Sequence, residues 1–183
     1  EQLMDFEELG LIELIVEKGD DALDGMPDGI KSNPEAMSEA IENNMRKTII
    51  DENPVNPKYY ERMSELLDAI IEERRKQAID YQVYLEKIKD LARKVVKPQG
   101  STKNPYPSSI DTAAKRALFD NLGNDELLAT KIDSAIRYTK KADWVGDRIK
   151  EKQVANAIRQ ESAGYNVDVT EVLELAKNQR EYQ

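Results

Sequence analysis

The chain has 183 residues, 39% of them hydrophobic and 34% charged, with a net charge of -9; that length allows one domain or two small ones, each with a hydrophobic core. It contains neither cysteine nor histidine, which excludes disulfides and thiolate metal ligands and removes the commonest general base and metal ligand. No run approaches the roughly 20 apolar residues of a membrane span and no basic start leads into an apolar segment, so a cytoplasmic setting without membrane contact is expected.

An apolar run, Leu9 to Val16, begins almost at once after Glu1, the pattern expected of a piece of a longer protein. Ser32-Asn33-Pro34 predicts a helix start, and the helix it opens places Met37, Ile41, Met45 and Ile49 on one face, with Asn43, Asn44, Arg46 and Lys47 outside it. Asn56-Pro57 repeats the signal, because proline at the first helical position gives up a donor that has no partner there. The helix behind it carries Tyr59, Tyr60, Met63, Leu66, Leu67, Ile70 and Ile71 in steps of three and four, one apolar stripe. A third long helix holds Tyr84, Leu85, Ile88, Leu91, Ala92 and Val95.

From Pro98 to Ser109 three prolines appear without periodicity, which reads as a connector. Helices are expected beyond it over Ala113 to Leu122, closed by Gly123, then over Glu126 to Lys141, Ile149 to Gln160 and Thr170 to Arg180. Strand alternation is essentially absent. The expected architecture is all-α, about eight or nine helices in two bundles: a helical domain over 1–97, a linker over 98–109 and a C-terminal helical domain over 110–183.

No two of the eight glycines are five apart, so the glycine pair of a P-loop is missing, and Gly100-Ser101-Thr102-Lys103 matches only the end of one. The acidic cluster Asp20, Asp21, Asp24 and Asp28 suggests a calcium loop, but positions three and twelve fall on Ala22 and Lys31, so it reads as a capped, solvated turn. No lysine has an acid two residues before it, the spacing a restriction-type metal nuclease uses. Paired carboxylates such as Glu72 and Glu73 read as solvated helix surface. No catalytic residue, metal ligand or cofactor is therefore assigned to this chain. Trp144 is expected in core or helix-junction packing rather than as a base-stacking platform.

The charge is uneven. Residues 1–55 hold 15 acids and 4 bases, -11 by subtraction, which leaves +2 for the remainder. Residues 86–116 carry eight bases against three acids, +5, and Arg74, Arg75 and Lys76 form a second cluster. The candidates for contact with a DNA backbone are Arg74, Arg75, Lys76, Arg93, Lys94, Lys97, Lys103, Lys115 and Arg116, a set suited to salt-sensitive, sequence-independent binding. The competing reading is basic residues placed to favour helix C-termini.

Four strings carry a resemblance: Glu8 to Ile15 (ELGLIELI), Ile41 to Glu52 (IENNMRKTIIDE), Asn56 to Leu67 (NPKYYERMSELL) and Ala114 to Gly123 (AKRALFDNLG). They resemble the C-terminal third of the R (restriction and motor) subunit of type I restriction–modification enzymes, over most of the chain. The resemblance implies a helical, non-catalytic region that follows the nuclease domain and motor lobes. Its partners would be the methyltransferase (M) and specificity (S) subunits and double-stranded DNA. ATP and Mg would serve the parent ATP-dependent translocase and endonuclease, not this part. The docking candidates are Asn43, Arg46, Lys47, Tyr59 and Tyr60, although the two tyrosines equally fit the intramolecular stripe. Two rival readings are a free-standing helical adaptor or regulator, and a nucleotide-binding helical domain.

Overall fold

Short polar side chains accept backbone N–H groups at the starts of the helices from Pro34 onward, and this fixes where those helices begin. In a computed structural model, which describes residues 10–98 and 106–183, Asn33 Oδ1 accepts from the Glu35 and Ala36 N–H groups, and Asn56 Oδ1 from Tyr59 N–H. Asp80, Thr112, Asp125, Asp147 and Asp168 do the same for the helices that follow them. Each such cap contributes about 1 kcal/mol.

The resulting helices are α1 (Leu11–Lys18), α2 (Asp21–Asp24), α3 (Asp28–Lys31), α4 (Pro34–Glu52), α5 (Pro57–Arg75), α6 (Tyr81–Val96), α7 (Ala113–Asn121), α8 (Glu126–Thr139), α9 (Arg148–Glu161) and α10 (Val169–Lys177). Single 3-10 turns lie at Asn53–Val55 and Arg180–Tyr182. The fold is all-α, with no strand among the described residues. Among the described residues the count already exceeds the expected eight or nine, because the acidic segment from Asp20 to Lys31, read as a turn, winds into two four-residue helices, α2 and α3. α7 closes as its glycine predicts: Gly123 takes φ +72 and the Asn124 N–H reaches back to the Phe119 carbonyl at 2.9 Å, the hydrogen bond that satisfies an orphan carbonyl at a helix end.

The contacts divide the chain into two compact units, Glu1–Glu52 with Tyr60–Asn104, and Asn53–Tyr59 with Pro105–Gln183. The segment Asn53–Tyr59, which the sequence reading assigned to the first domain, therefore groups with the second unit.

In the first unit α1 and α4 each pack on α6. Ile12, Leu14, Met37, Ile41, Met45, Leu67, Tyr84 and Ile88 are all at most 2% exposed. Asn44 of α4 accepts the Ile12 N–H at 2.9 Å, so a side chain from another helix satisfies one of the free donors of α1.

In the second unit α8 packs on α7 and α9, and α10 packs on α9 and α7. Its core gathers Ile110, Leu118, Ile132, Ile136, Val154, Ile158 and Trp144, with Tyr182 of the last turn among them. Trp144 is 1% exposed and its indole N–H donates to the Tyr182 carbonyl at 2.5 Å, in keeping with its expected place in packing.

Burial makes three phenols poor acids. Desolvation first, then an adjacent carboxylate, raises Tyr84 (beside Glu42), Tyr106 (beside Asp120) and Tyr182 (beside Asp133) above the ordinary tyrosine value. A group raised in the folded state adds stability that is complete below the unfolded value, about 10, and is lost as pH climbs towards the folded value. Thermal midpoints are therefore expected to fall above about pH 10. Tyrosinate absorbance followed on the same samples should show Tyr84, Tyr106 and Tyr182 ionising only together with unfolding; their ionisation in the still-helical chain would contradict this.

Candidate functional site

The cations singled out by sequence have different fates. Arg74 sits on the last turn of α5 with its side chain 11% exposed and is clasped by two carboxylates. Its Nε and Nη2 donate to Glu42 Oε1 and Oε2 at 2.8 and 3.2 Å, and Nη1 donates to Glu35 Oε1 at 2.8 Å. The Tyr84 hydroxyl also donates to Glu42, at 3.0 Å, and the guanidinium lies 5.7 Å from that ring's centre. The hydrogen bond to Glu42 holds Arg74 above its ordinary value despite desolvation. A hollow of about 160 Å3 beside it is lined by Pro34, Glu35, Ser38, Arg74, Ile79, Asp80 and Tyr81. With both edges of the guanidinium occupied, Arg74 has no free donor face for a phosphate.

Arg116 is likewise withdrawn. It is 7% exposed, lies 5.9 Å from the centre of the Tyr106 ring, and its Nη2 is buried without a hydrogen-bond partner among the described residues. Its place on the inner face of α7, next to Ala117 and Leu118, takes it away from solvent. Lys76 pairs with Glu72 at 2.6 Å, Lys94 with Asp90 at 3.0 Å and Lys115 with Asp111 at 2.9 Å. Lys94 with Asp90, one turn apart within α6, is worth a few tenths of a kcal/mol. Arg75, Arg93 and Lys97 are exposed and make no ion pair among the described residues. Lys103 lies outside the described residues.

The docking candidates separate as well. Asn43, Arg46 and Lys47 are exposed on one side of α4, and Arg46 Nη2 meets Asp68 at 2.6 Å. Ile50, one turn further along the same side, is 69% exposed and was not singled out by the sequence, where it reads as a neighbour of the buried Ile49. Tyr59 and Tyr60 are 8% and 5% exposed, which removes them from the docking set. Tyr60 continues the buried stripe of α5 with Met63, Leu67 and Ile71 in the first unit, because steps of three and four return to one helix face, while Tyr59 is buried with the second unit.

A further group was absent from the sequence reading. The segment from α8 to α9 exposes Tyr138 (94%) and Ile149 (73%), and Lys131, Lys141, Arg148 and Lys152 are exposed without an ion pair among the described residues. Of the nearby carboxylates, Asp147 and Glu151 are engaged elsewhere and Asp143 is exposed. Asp147, lowered chiefly by the Lys150 N–H, caps α9; Glu151, lowered chiefly by the Gly146 N–H and then by Lys177, closes the turn. Gly146 adopts φ +89 in that turn, a conformation that disfavours a side chain. The cue in the sequence was four bases spread over 22 residues, too sparse to stand out from ordinary helix surface.

Among the described residues no group of three or more carboxylates converges as a metal site; within the acidic segment, Asp20 pairs with Lys89 and Asp24 with Lys31. No helix among them is long and apolar enough to cross a membrane. No family model, curated protein or solved structure matches the chain.

Proposed function

We propose that the chain is the helical, non-catalytic C-terminal part of a type I restriction R subunit, which docks the motor on the methyltransferase core and contacts DNA backbone. The observation that carries the docking reading is the outer side of α4. There Asn43, Arg46 and Lys47 lie one to two turns before an isoleucine, Ile50, on the same helix side, which is 69% exposed, all within the string that resembles the family. A large apolar residue rimmed by polar and charged ones has the composition of an interface centre, where one buried anchor supplies much of the affinity and the rim sets orientation. For the DNA part, Arg75, Arg93 and Lys97 are exposed, without an ion pair among the described residues, and phosphates would neutralise them.

The experiment is binding of the chain to a purified complex of M and S subunits. Ile50→Asp combined with Lys47→Glu is expected to weaken binding at least tenfold, about 1.4 kcal/mol or more, by placing charge at the anchor and reversing it at the rim. Both side chains are solvent-exposed, so the helical circular dichroism should not change. Unchanged affinity in this variant would remove the α4 face from the interface, and no binding by the wild-type chain would refute docking on that core.

A further inference from the structure

A helical surface that is merely solvated interleaves its charges, as α5 and α6 do with Lys76 beside Glu72 and Lys94 beside Asp90. The corner between α8 and α9 departs from that habit. Residues 131–152 contain seven bases and four acids, +3 by subtraction. Asp133 is taken by Arg137 and Tyr182, Asp147 by the cap of α9, and Glu151 by Gly146 and Lys177. Asp143 alone of the four has no partner among the described residues. Four exposed cations are thus left unanswered within one helix–turn–helix, a self-repulsion that a polyanion would relieve.

Their placement is orderly. Arg148 and Lys152 are one turn apart on α9, and Lys131 and Tyr138 are two turns apart on one face of α8. Lys150 Nζ donates to the Ala142 carbonyl at 2.9 Å, which ties the first turn of α9 to the turn bearing Lys141. Lys141, Arg148 and Lys152 are thereby gathered at one end of the helix pair, the end at which Tyr138 is 94% exposed. An aromatic ring among unpaired cations suits a nucleic acid better than an acidic peptide, because it offers a stacking face as well as charge. It suits a single strand better than a duplex, whose base faces are already covered by one another.

We propose that the α8–α9 corner binds single-stranded nucleic acid, with Lys141, Arg148 and Lys152 neutralising phosphates and Tyr138 stacking on an unpaired base. This rests on the proposed function only in taking a nucleic acid as partner; the residues, the strand type and the stacking go beyond it.

The test is fluorescence anisotropy with the full chain, a labelled oligothymidylate of about 16 nucleotides and a duplex of equal length, over a salt series. Removing the three cations together (K141A, R148A, K152A) is expected to lower the slope of log affinity against log salt for the single strand by about two. Tyr138→Ala should weaken the single strand about tenfold and leave the duplex unchanged. The altered side chains are exposed, and an unchanged Trp144 emission spectrum reports that the unit stays folded.

A triple variant that binds with the wild-type slope overturns the site, as does equal loss on both probes in Tyr138→Ala, or polyglutamate displacing the strand as well as free oligothymidylate does. Loss of duplex binding in Arg93→Ala with Lys97→Ala, beside an unaffected triple variant, refutes the corner and leaves the DNA-handling reading standing. Loss of docking in the α4 variant with strand binding intact leaves the corner standing in turn.

Discussion

Replacing Tyr182 by alanine is expected to destabilise the second unit by about 4 kcal/mol, and by phenylalanine by about 2 kcal/mol. The ring is 0% exposed, in the core with Trp144 and Ile136. Its hydroxyl donates to Asp133 Oδ1 at 2.5 Å, its carbonyl accepts the Trp144 indole N–H, and the Arg137 guanidinium lies 5.2 Å from the ring centre. Alanine leaves a cavity that the surrounding helices fill only in part. Phenylalanine keeps the packing but deprives a carboxylate that is 2% exposed of its shortest donor.

Asp133 retains Arg137 Nε, at 3.0 and 3.1 Å, which is why the phenylalanine variant should cost less. Trp144 is the chain's single tryptophan, so its emission during urea unfolding reports this unit. Equal midpoints for the phenylalanine variant and wild type would mean that the hydroxyl contributes nothing net. A wild-type midpoint in the alanine variant would mean that the last turn does not hold the core together.

Glu42→Ala is expected to cost the first unit about 3 kcal/mol, because it strips a clasped guanidinium of its bidentate partner. Arg74 would keep only Glu35, whose side chain is 69% exposed, and the Tyr84 hydroxyl only the Ser38 carbonyl at 3.4 Å. The instructive comparison is Glu42→Leu with Arg74→Met. Removing both charges relieves their desolvation as well as their attraction, so the double variant should lie within about 1 kcal/mol of wild type. Thermal unfolding followed by helical circular dichroism, arranged as a double-mutant cycle, gives the coupling directly. If the two single variants add without coupling, the clasp contributes nothing beyond its separate side chains.

These two networks mark where sequence reasoning reached its limit. Periodicity, the Asn33-Pro34 and Asn56-Pro57 starts and the Gly123 stop located α4 to α10 to within a few residues, because such local signals determine helix positions. The all-α class follows from the same signals. The short helices α2 and α3 escaped because four residues hold no full period.

Which cations meet solvent was not legible. Arg74, Arg116, Lys94 and Lys97 look alike as bases in a charged stretch. The fold clasps the first, buries the second, pairs the third with Asp90 and leaves the fourth exposed. For Tyr59 and Tyr60, periodicity allowed a core stripe and composition allowed a docking patch, and burial decided for the core. By itself the sequence determined the positions, the ends and the main apolar stripes of the long helices, since these depend on neighbours within a turn or two. Only the tertiary structure decided the partners of Glu42, Asp133 and Tyr182 and left Ile50, Tyr138, Lys141 and Arg148 outside, because exposure and pairing depend on residues up to tens of positions away in the chain.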